Sequence, residues 1–391
     1  MFINQSDLPD IVEQISPGRG QSQSIVRLAR PVAGDATVLK IYKEQAAPSR
    51  TQAQMLLQAG QQLSQQYPVA YRRIAWPRAF VLTASGNICG AVMPMAPDEV
   101  FYQDGDERHP CKVELMMRPE SRIVSRTGLM TPDINLRLRF CLALTAIILR
   151  IHAVKGLYCD FSQSNLLWTC DPAANDMVCV PYLLDADGIV IGTHRNDIYT
   201  ANWKDEYPRA DKRADAATDV YKLALTIYRV INLTFQLPPP GQYRIDPSHQ
   251  IPGPVAAQLE TAINQAAGPR AGRPPIGKLH ACLRDARIQT EKVARTSHTT
   301  ARPTPARPAS TPSTPKPASR HTIPVPRHPA PPTKPHPWPT PASRSHRTRE
   351  AARRHVDKAK QALNSFVSPR TQGAAATLLA VGILAVLVRM V

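Results

Sequence analysis

No aspartate or glutamate occurs between Glu44 and Asp98. Whatever folds in that span can form no ion pair from a carboxylate of its own and can offer none to a metal. Cysteine is sparse and scattered: Cys89, Cys111, Cys141, Cys159, Cys170, Cys179 and Cys282 are odd in number, and none shows zinc-site spacing. A disulfide scaffold and a structural zinc site are therefore excluded, and reduced thiols are expected. The opening Met1-Phe2-Ile3-Asn4-Gln5-Ser6-Asp7-Leu8-Pro9 has neither a basic n-region nor a long apolar run, so no signal peptide is expected. The chain has no internal repeat, which excludes a solenoid. Residues 373–388 carry no charge at all.

The charge that is present is unevenly placed. The net +18 of the 391 residues is mostly a property of residues 289–372, where 16 Lys/Arg face 3 Asp/Glu. Residues 1–288 carry only +4, and with 43% apolar residues in the chain this part can bury a sizeable core. Within residues 301–345 there are 15 prolines, mixed with Thr, Ser, Ala, Arg and His. Such a composition cannot bury enough apolar surface to order itself. It reads as an extended linker of polyproline II character over residues 289–348. The histidines clustered in this tail (His321, His328, His336, His346 and His355 among them) are too spread to hold a metal.

A basic segment (349–370) follows, then the uncharged run, ended by Arg389. At 1.5 Å per residue, residues 373–391 span about 28 Å as a helix, close to the ~30 Å of a hydrocarbon core. An apolar helix behind such a linker has no core to join, so a membrane anchor is expected, with Arg389 reaching the far interface. The flank Arg353, Arg354, Lys358, Lys360 and Arg370 places the preceding part of the chain on the cytoplasmic side. Anionic lipid is the expected partner of this basic segment, and no specific nucleic-acid partner is expected.

The chemistry sits in Tyr158-Cys159-Asp160-Phe161-Ser162-Gln163-Ser164-Asn165, followed by Leu183-Leu184-Asp185-Ala186-Asp187-Gly188. An Asp, four residues, an Asn, and then an Asp after an apolar run is the order in which protein kinases arrange phosphoryl transfer. The value of the pattern comes from its flanks. Thr131-Pro132 reads as an N-cap with proline at the first helical position, residues 133–152 as a helix apolar nearly all round, and Gly156 as its stop. Leu166-Leu167-Trp168 and residues 178–184 read as two short strands, with a polar hairpin tip at 169–176.

Upstream, Ser16-Pro17-Gly18-Arg19-Gly20-Gln21-Ser22-Gln23 is a small-residue turn before the strand Ile25-Val26-Arg27-Leu28. It reads as a phosphate-covering loop with its third glycine missing. Thr37-Val38-Leu39-Lys40-Ile41-Tyr42 alternates as a strand should and offers Lys40 as a phosphate clamp. Two strands are expected in 78–92, around Ser85-Gly86-Asn87. Met93-Pro94-Met95 then reads as a hinge whose backbone would meet an adenine edge. Downstream, Thr218-Asp219-Val220-Tyr221-Lys222-Leu223 offers an aspartate that opens a buried helix and braces the loop at Asp160. Gly272-Arg273-Pro274-Pro275 precedes a final helix, with Glu206 as the expected acidic partner of Arg273.

In this order the signals resemble the protein-kinase-like superfamily across about residues 10–288. The chain is most similar to divergent bacterial atypical serine/threonine kinases, in which Ala-Trp-Pro (Ala75-Trp76-Pro77) precedes the hinge and Met-Pro (Met93-Pro94) sits in it. Ser162, where ordinary protein kinases carry lysine, resembles the Asp-x-Ser-x-x-Asn loop of the RIO kinases. The resemblance implies an α+β, two-lobed protein-kinase-like fold: a small β-rich lobe of about residues 10–95, a helical lobe of about 96–288, and ATP with Mg2+ in the cleft. It implies Asp160 as catalytic base, Asn165 and Asp185 as metal ligands, and Lys40 as phosphate clamp. Gly18, Gly20, Met93 and Met95 would contact the nucleotide, and protein hydroxyls would be the substrate. Asp185 directly ends the apolar strand and is the expected metal aspartate; Asp187, which precedes the glycine, is the alternative.

Two departures bear on function. Tyr158 replaces the usual histidine of the catalytic loop. The helix expected at 50–66 lacks the glutamate that should pair with Lys40, leaving only Gln54 or Gln58 to hydrogen-bond it. A pseudokinase scaffold is therefore the first alternative, and a small-molecule phosphotransferase resembling the aminoglycoside enzymes the second.

Overall fold

Alternation builds the N-terminal half. In the strand Ala36–Tyr42, Leu39 and Ile41 point one way while Lys40 and Tyr42 point the other, and both faces are buried. The structure, a computed structural model, describes residues 1–300 apart from 19, 119–131, 170–178, 193–199 and 201. The expected linker, basic segment and anchor beyond 300, the cap residue Thr131, the hairpin tip 170–176 and Cys170 thus lie outside the described residues.

The fold is mixed α+β, a β-sheet first and helices after it. Six strands, β1 (Phe2–Asn4), β2 (Ile11–Ser16), β3 (Ser22–Leu28), β4 (Ala36–Tyr42), β5 (Ala79–Leu82) and β6 (Ile88–Pro94), form one sheet in the order β1-β5-β6-β4-β3-β2. All pairs are antiparallel except β1 with β5. The sheet therefore starts at Phe2, earlier than the resemblance implies. One face packs Leu39 and Ile41 with Ile11, Val26, Val81 and Val92. The other carries Tyr42, Phe80 and Ala91 into the main core, against Ala53, Leu56 and Leu63 of helix α1 (Arg50–Gln66).

Helix α1 spans the residues expected of it, and its start is written locally. Ser49 and Gln52 form a reciprocal capping box. The helix meets the sheet through Trp76, whose indole N–H donates to the Leu56 carbonyl at 3.0 Å. That approach needs Gly60, since a Cβ there would lie 2.2 Å from the indole nitrogen. Gln54 and Gln58 instead line an outer cavity with Met1, Tyr71 and Arg78, so neither is directed at Lys40 as the sequence suggested.

After β6 the chain forms a small hairpin, β7 (Phe101–Asp104) and β8 (Glu107–Pro110), and enters α2 (Ile134–Ala153). The cap of α2 is Asp133, which accepts from the Leu136 N–H at 2.8 Å, rather than Thr131. The helix stops at Val154 and reverses at Lys155 (φ 60°), so Gly156 belongs to the next strand and not to the stop. Strand β9 (Gly156–Leu157) pairs with β12 (Val190–Ile191), and β10 (Leu166–Thr169) with β11 (Val180–Leu183). Helices α3 (Ala216–Asn232), α4 (Gly253–Ala266) and α5 (Ile276–Thr300) complete the fold. Helix α5 runs past residue 288: Thr290 is buried, and Glu291 pairs with Arg139 of α2 at 3.0 Å.

Candidate functional site

The two hairpin-like supports β10–β11 and β9–β12 bring residues 158–165 and 184–188 together. Leu184 N–H donates to the Asn165 carbonyl at 2.8 Å. Tyr158 crosses the same gap: its hydroxyl lies 3.1 Å from the Asn165 carbonyl and 3.0 Å from that of Leu184. A buried tyrosine thus stitches the two loops where a histidine was expected, and burial drives its hydroxyl well above the ordinary phenol range.

From below, Asp219 at the start of α3 accepts from the N–H groups of Tyr158 (2.9 Å) and Cys159 (2.8 Å) and lies 2.8 Å from the His152 ring. Lys222, one turn on and fully buried, donates to the Cys159 carbonyl at 2.7 Å. These bonds hold Cys159 at φ 55°, a left-handed conformation that side chains other than glycine avoid. The strained residue sets the direction of Asp160. Lys222 and His152 were not foreseen as part of this brace; the signal for Lys222 is a lysine inside an otherwise apolar helical run.

Asp160 and Asn165 are joined directly. The Asn165 amide donates to the Asp160 carboxylate at 2.9 Å and to its carbonyl at 3.0 Å. Both bonds use the side-chain nitrogen, so the side-chain oxygen Oδ1 is not spent on Asp160. Ser162 accepts from the N–H groups of Ser164 and Asn165 at 3.2 Å each, so it shapes the turn between them.

Across the gap, Lys40 of β4 reaches Asp185 (3.2 Å) and Asp187 (2.9 Å). Asp187 is also bonded to the Tyr42 hydroxyl at 2.9 Å, and only 5% of its side chain is exposed. The Asp185 side chain, 39% exposed, has Lys40 as its one polar partner among the described residues. Asp185 sits at φ 51° and is thus turned out of the line of β11. Of the two aspartates it is the one with an oxygen to spare.

Electrostatics follow from this crowding. Burial alone would lower the Lys40 pKa, but the charges of Asp187 and Asp185 outweigh it and raise it to about 12. Burial raises the Asp160 carboxyl, and the neighbouring charge of Asp185 raises it further. Asp185 is likewise raised by burial, against the pull of Lys40. Asp160, Asp185 and Asp187 thus gather around Lys40, and behind them Lys222 is matched by Asp219, a surplus of negative charge that favours a cation. Asp185 and Asn165 offer oxygen donors of the kind magnesium takes. Among the described residues no three His, Cys, Asp or Glu side chains form a ready cage. A magnesium ion shared with substrate phosphates needs only one or two protein carboxylates.

The remaining expected contacts line up along the sheet. Gly18 (φ 83°) and Gly20 (φ 57°) turn the β2–β3 connection beside β4, and a Cβ on Gly18 would sit 2.3 Å from the Gln23 carbonyl. Met93 of β6 pairs with Val38 of β4 and is buried, whereas Met95 is exposed just past the strand. The next residue, Ala96, packs on Ala75, Leu167 and Tyr182, so this stretch leads from the sheet to the β10–β11 hairpin. A cavity of about 1080 Å³ lined by Tyr221, Arg229, Phe235 and Tyr243 contains none of the three carboxylates. The chemistry, not the volume, selects the site.

The Arg273 partner is Asp205, not Glu206: two bonds of 2.6 and 2.7 Å join them, both side chains are 1% exposed, and Arg270 adds a third at 2.9 Å. Glu206 is exposed. No known protein-family model and no curated protein sequence matches the chain. Among the described residues no helix is long and apolar enough to cross a membrane.

Proposed function

We propose that this chain is a protein kinase of the two-lobed, protein-kinase-like kind, transferring the γ-phosphate of ATP to serine or threonine hydroxyls of proteins. The observation that carries the reading is the convergence of Lys40, Asp185 and the pair Asp160 and Asn165, from three separate stretches of sequence, on one braced site. Asp160 accepts the proton of the attacking hydroxyl, the new P–O bond forms at the γ-phosphorus, and the bond to the ADP oxygen breaks. Lys40 holds the phosphates of ATP in line for that attack. Asp185 and Asn165 would hold Mg2+, which when bound neutralises charge on the phosphates. Gly18 and Gly20 let the β2–β3 turn approach the phosphates, and the backbone at Met93 and Met95 meets the adenine. Asp219 keeps the base loop in place.

Residues 373–391 would tether the enzyme to the membrane through lipid contacts of an apolar segment, with the kinase on the cytoplasmic side; because 289–300 belong to α5, the leash is shortened to residues 301–348. The first alternative, a nucleotide-binding pseudokinase scaffold, draws on one observation: α1 carries no acidic residue. The purified chain incubated with labelled ATP, magnesium and a protein mixture separates the two. Transfer of label to protein, together with a magnesium-ATP thermal shift, is the expected result; saturating nucleotide should add ~2.7 kcal/mol at 100 times its Kd. A shift without transfer favours the scaffold, and no shift at millimolar nucleotide removes both.

A further inference from the structure

Helix α1 cannot supply an acidic partner to Lys40, yet Lys40 is not left alone. Its shortest contact is to Asp187 Oδ1 at 2.9 Å, and the other oxygen of Asp187 takes the Tyr42 hydroxyl at 2.9 Å. Lys40 and Tyr42 are two residues apart on β4 and so project to the same side, one donor for each carboxylate oxygen. Around Asp187 the chain is closed: a small cavity is lined by Pro48, Gln52 and Leu56 from the α1 side and by Ile189, Val190 and Ile191. Gln52 is committed to the Ser49 cap, and Leu56 is apolar. Asp185, by contrast, remains 39% exposed beside the same lysine.

We infer that Asp187, fixed by Tyr42, is the positioning residue for Lys40, taking the part an acid on α1 would play, while Asp185 is left to the metal. The inference rests on the kinase reading above. Its consequence is that Lys40 stays aligned whatever the register of α1. The lysine's partner lies on the segment that also carries Asp185, so the clamp and the metal ligand move as one unit.

The test compares Asp187→Asn, Tyr42→Phe, Lys40→Met and the Lys40→Met/Asp187→Asn double variant in the full chain. Two readouts are used: ATP KM and kcat at several magnesium concentrations, and urea unfolding without nucleotide. Asp187→Asn should raise the ATP KM about tenfold, as expected for losing a hydrogen bond to a charged group. Its magnesium requirement should stay as in the wild type, and it should add nothing to the loss caused by Lys40→Met. In unfolding, the two substitutions should be non-additive. Tyr42→Phe, which removes one donor and keeps the ring, should raise KM about two- to threefold. It decides the matter if Asp187→Asn does not fold.

An unchanged KM in both variants, losses that multiply with Lys40→Met, or a shifted magnesium requirement in Asp187→Asn would each overturn the inference. A wild-type chain that neither binds nor uses ATP removes the kinase reading, and this inference with it. A working wild type indifferent to Asp187 and Tyr42 removes the inference alone.

Discussion

Asn165 donates to the carboxylate of Asp160 at 2.9 Å, so the two residues of the Asp-x4-Asn pattern orient each other before any substrate arrives. One carboxylate oxygen is held, and the other is the one the proposed mechanism assigns to the substrate hydroxyl. Asp185 lies on the other loop, against Lys40. The two aspartates should therefore fail differently. Asp160→Asn should lower kcat about 10²–10⁴-fold, the usual range for a lost general base, with ATP affinity kept. Asp185→Asn should weaken magnesium-dependent ATP binding as well. Titration of ATP with and without magnesium, beside turnover, checks both; equal loss of binding in the two variants contradicts the assignment.

The Asp160 carboxyl is raised by burial and by Asp185, which gives a stability prediction with a definite sign. A carboxyl whose pKa is higher in the folded than in the unfolded chain contributes stability that is present below the unfolded value. That contribution is lost as pH rises through the folded value. At neutral pH the ionised Asp160 thus weakens the fold. Nucleotide-free Asp160→Asn should melt above the wild type at pH 7, and the gap should close toward pH 4. A lower melting temperature at pH 7 would show that Asp160 is placed by its charge rather than despite it.

Asp219 should behave in the opposite way. Its carboxylate is fully buried and is the acceptor for two backbone N–H groups. Asp219→Ala leaves both without a partner and frees the strained Cys159, at a cost of about 3 kcal/mol. Urea denaturation should show the loss, and Asp219→Asn, which keeps one acceptor oxygen, should fall between. A midpoint within error of the wild type would mean that the brace lies elsewhere.

What was legible follows from how local each cause is. Helix α1 could be read because Ser49 and Gln52 cap it within one turn, and Lys40 because strand alternation leaves a lysine among Val38, Leu39 and Ile41. Asp219 could be read from an aspartate opening an apolar helix. Long-range causes were not legible. Strand β1 is three residues long and exists only through its pairing with β5. The fit of Trp76 over Gly60, and the choice of Asp187 by Tyr42, join stretches with no sequence relation. Even between neighbours the outcome was hidden: Asp205 and Glu206 are both acids, and only the direction of the loop decides which turns inward.

That last pair can be separated by substitution. Asp205 meets Arg273 and Arg270 in a buried cluster, so Asp205→Ala strands two guanidinium groups and should cost about 3–5 kcal/mol. Glu206→Ala, at an exposed side chain, should stay within about 0.5 kcal/mol of the wild type. Chemical denaturation of the two variants side by side checks the order. A larger loss for Glu206→Ala would restore it as the partner of Arg273.

The proposed tether makes a prediction about the whole chain. Residues 373–388 are uncharged, follow the cations Arg353, Arg354, Lys358, Lys360 and Arg370, and come after a proline-rich stretch. Extended at up to ~3.1 Å per residue, that stretch would let the folded part of the chain sweep a wide shell above the bilayer instead of resting on it. The basic flank should hold the enzyme on the cytoplasmic face, next to anionic lipid. Full-length protein should pellet with membranes and resist carbonate extraction, while a chain ending at Arg370 should stay in the soluble fraction. Protease added outside intact cells should leave the folded part uncut. Recovery of the full-length chain in the soluble fraction would refute the anchor, and cutting from outside would refute the orientation while leaving the anchor in place.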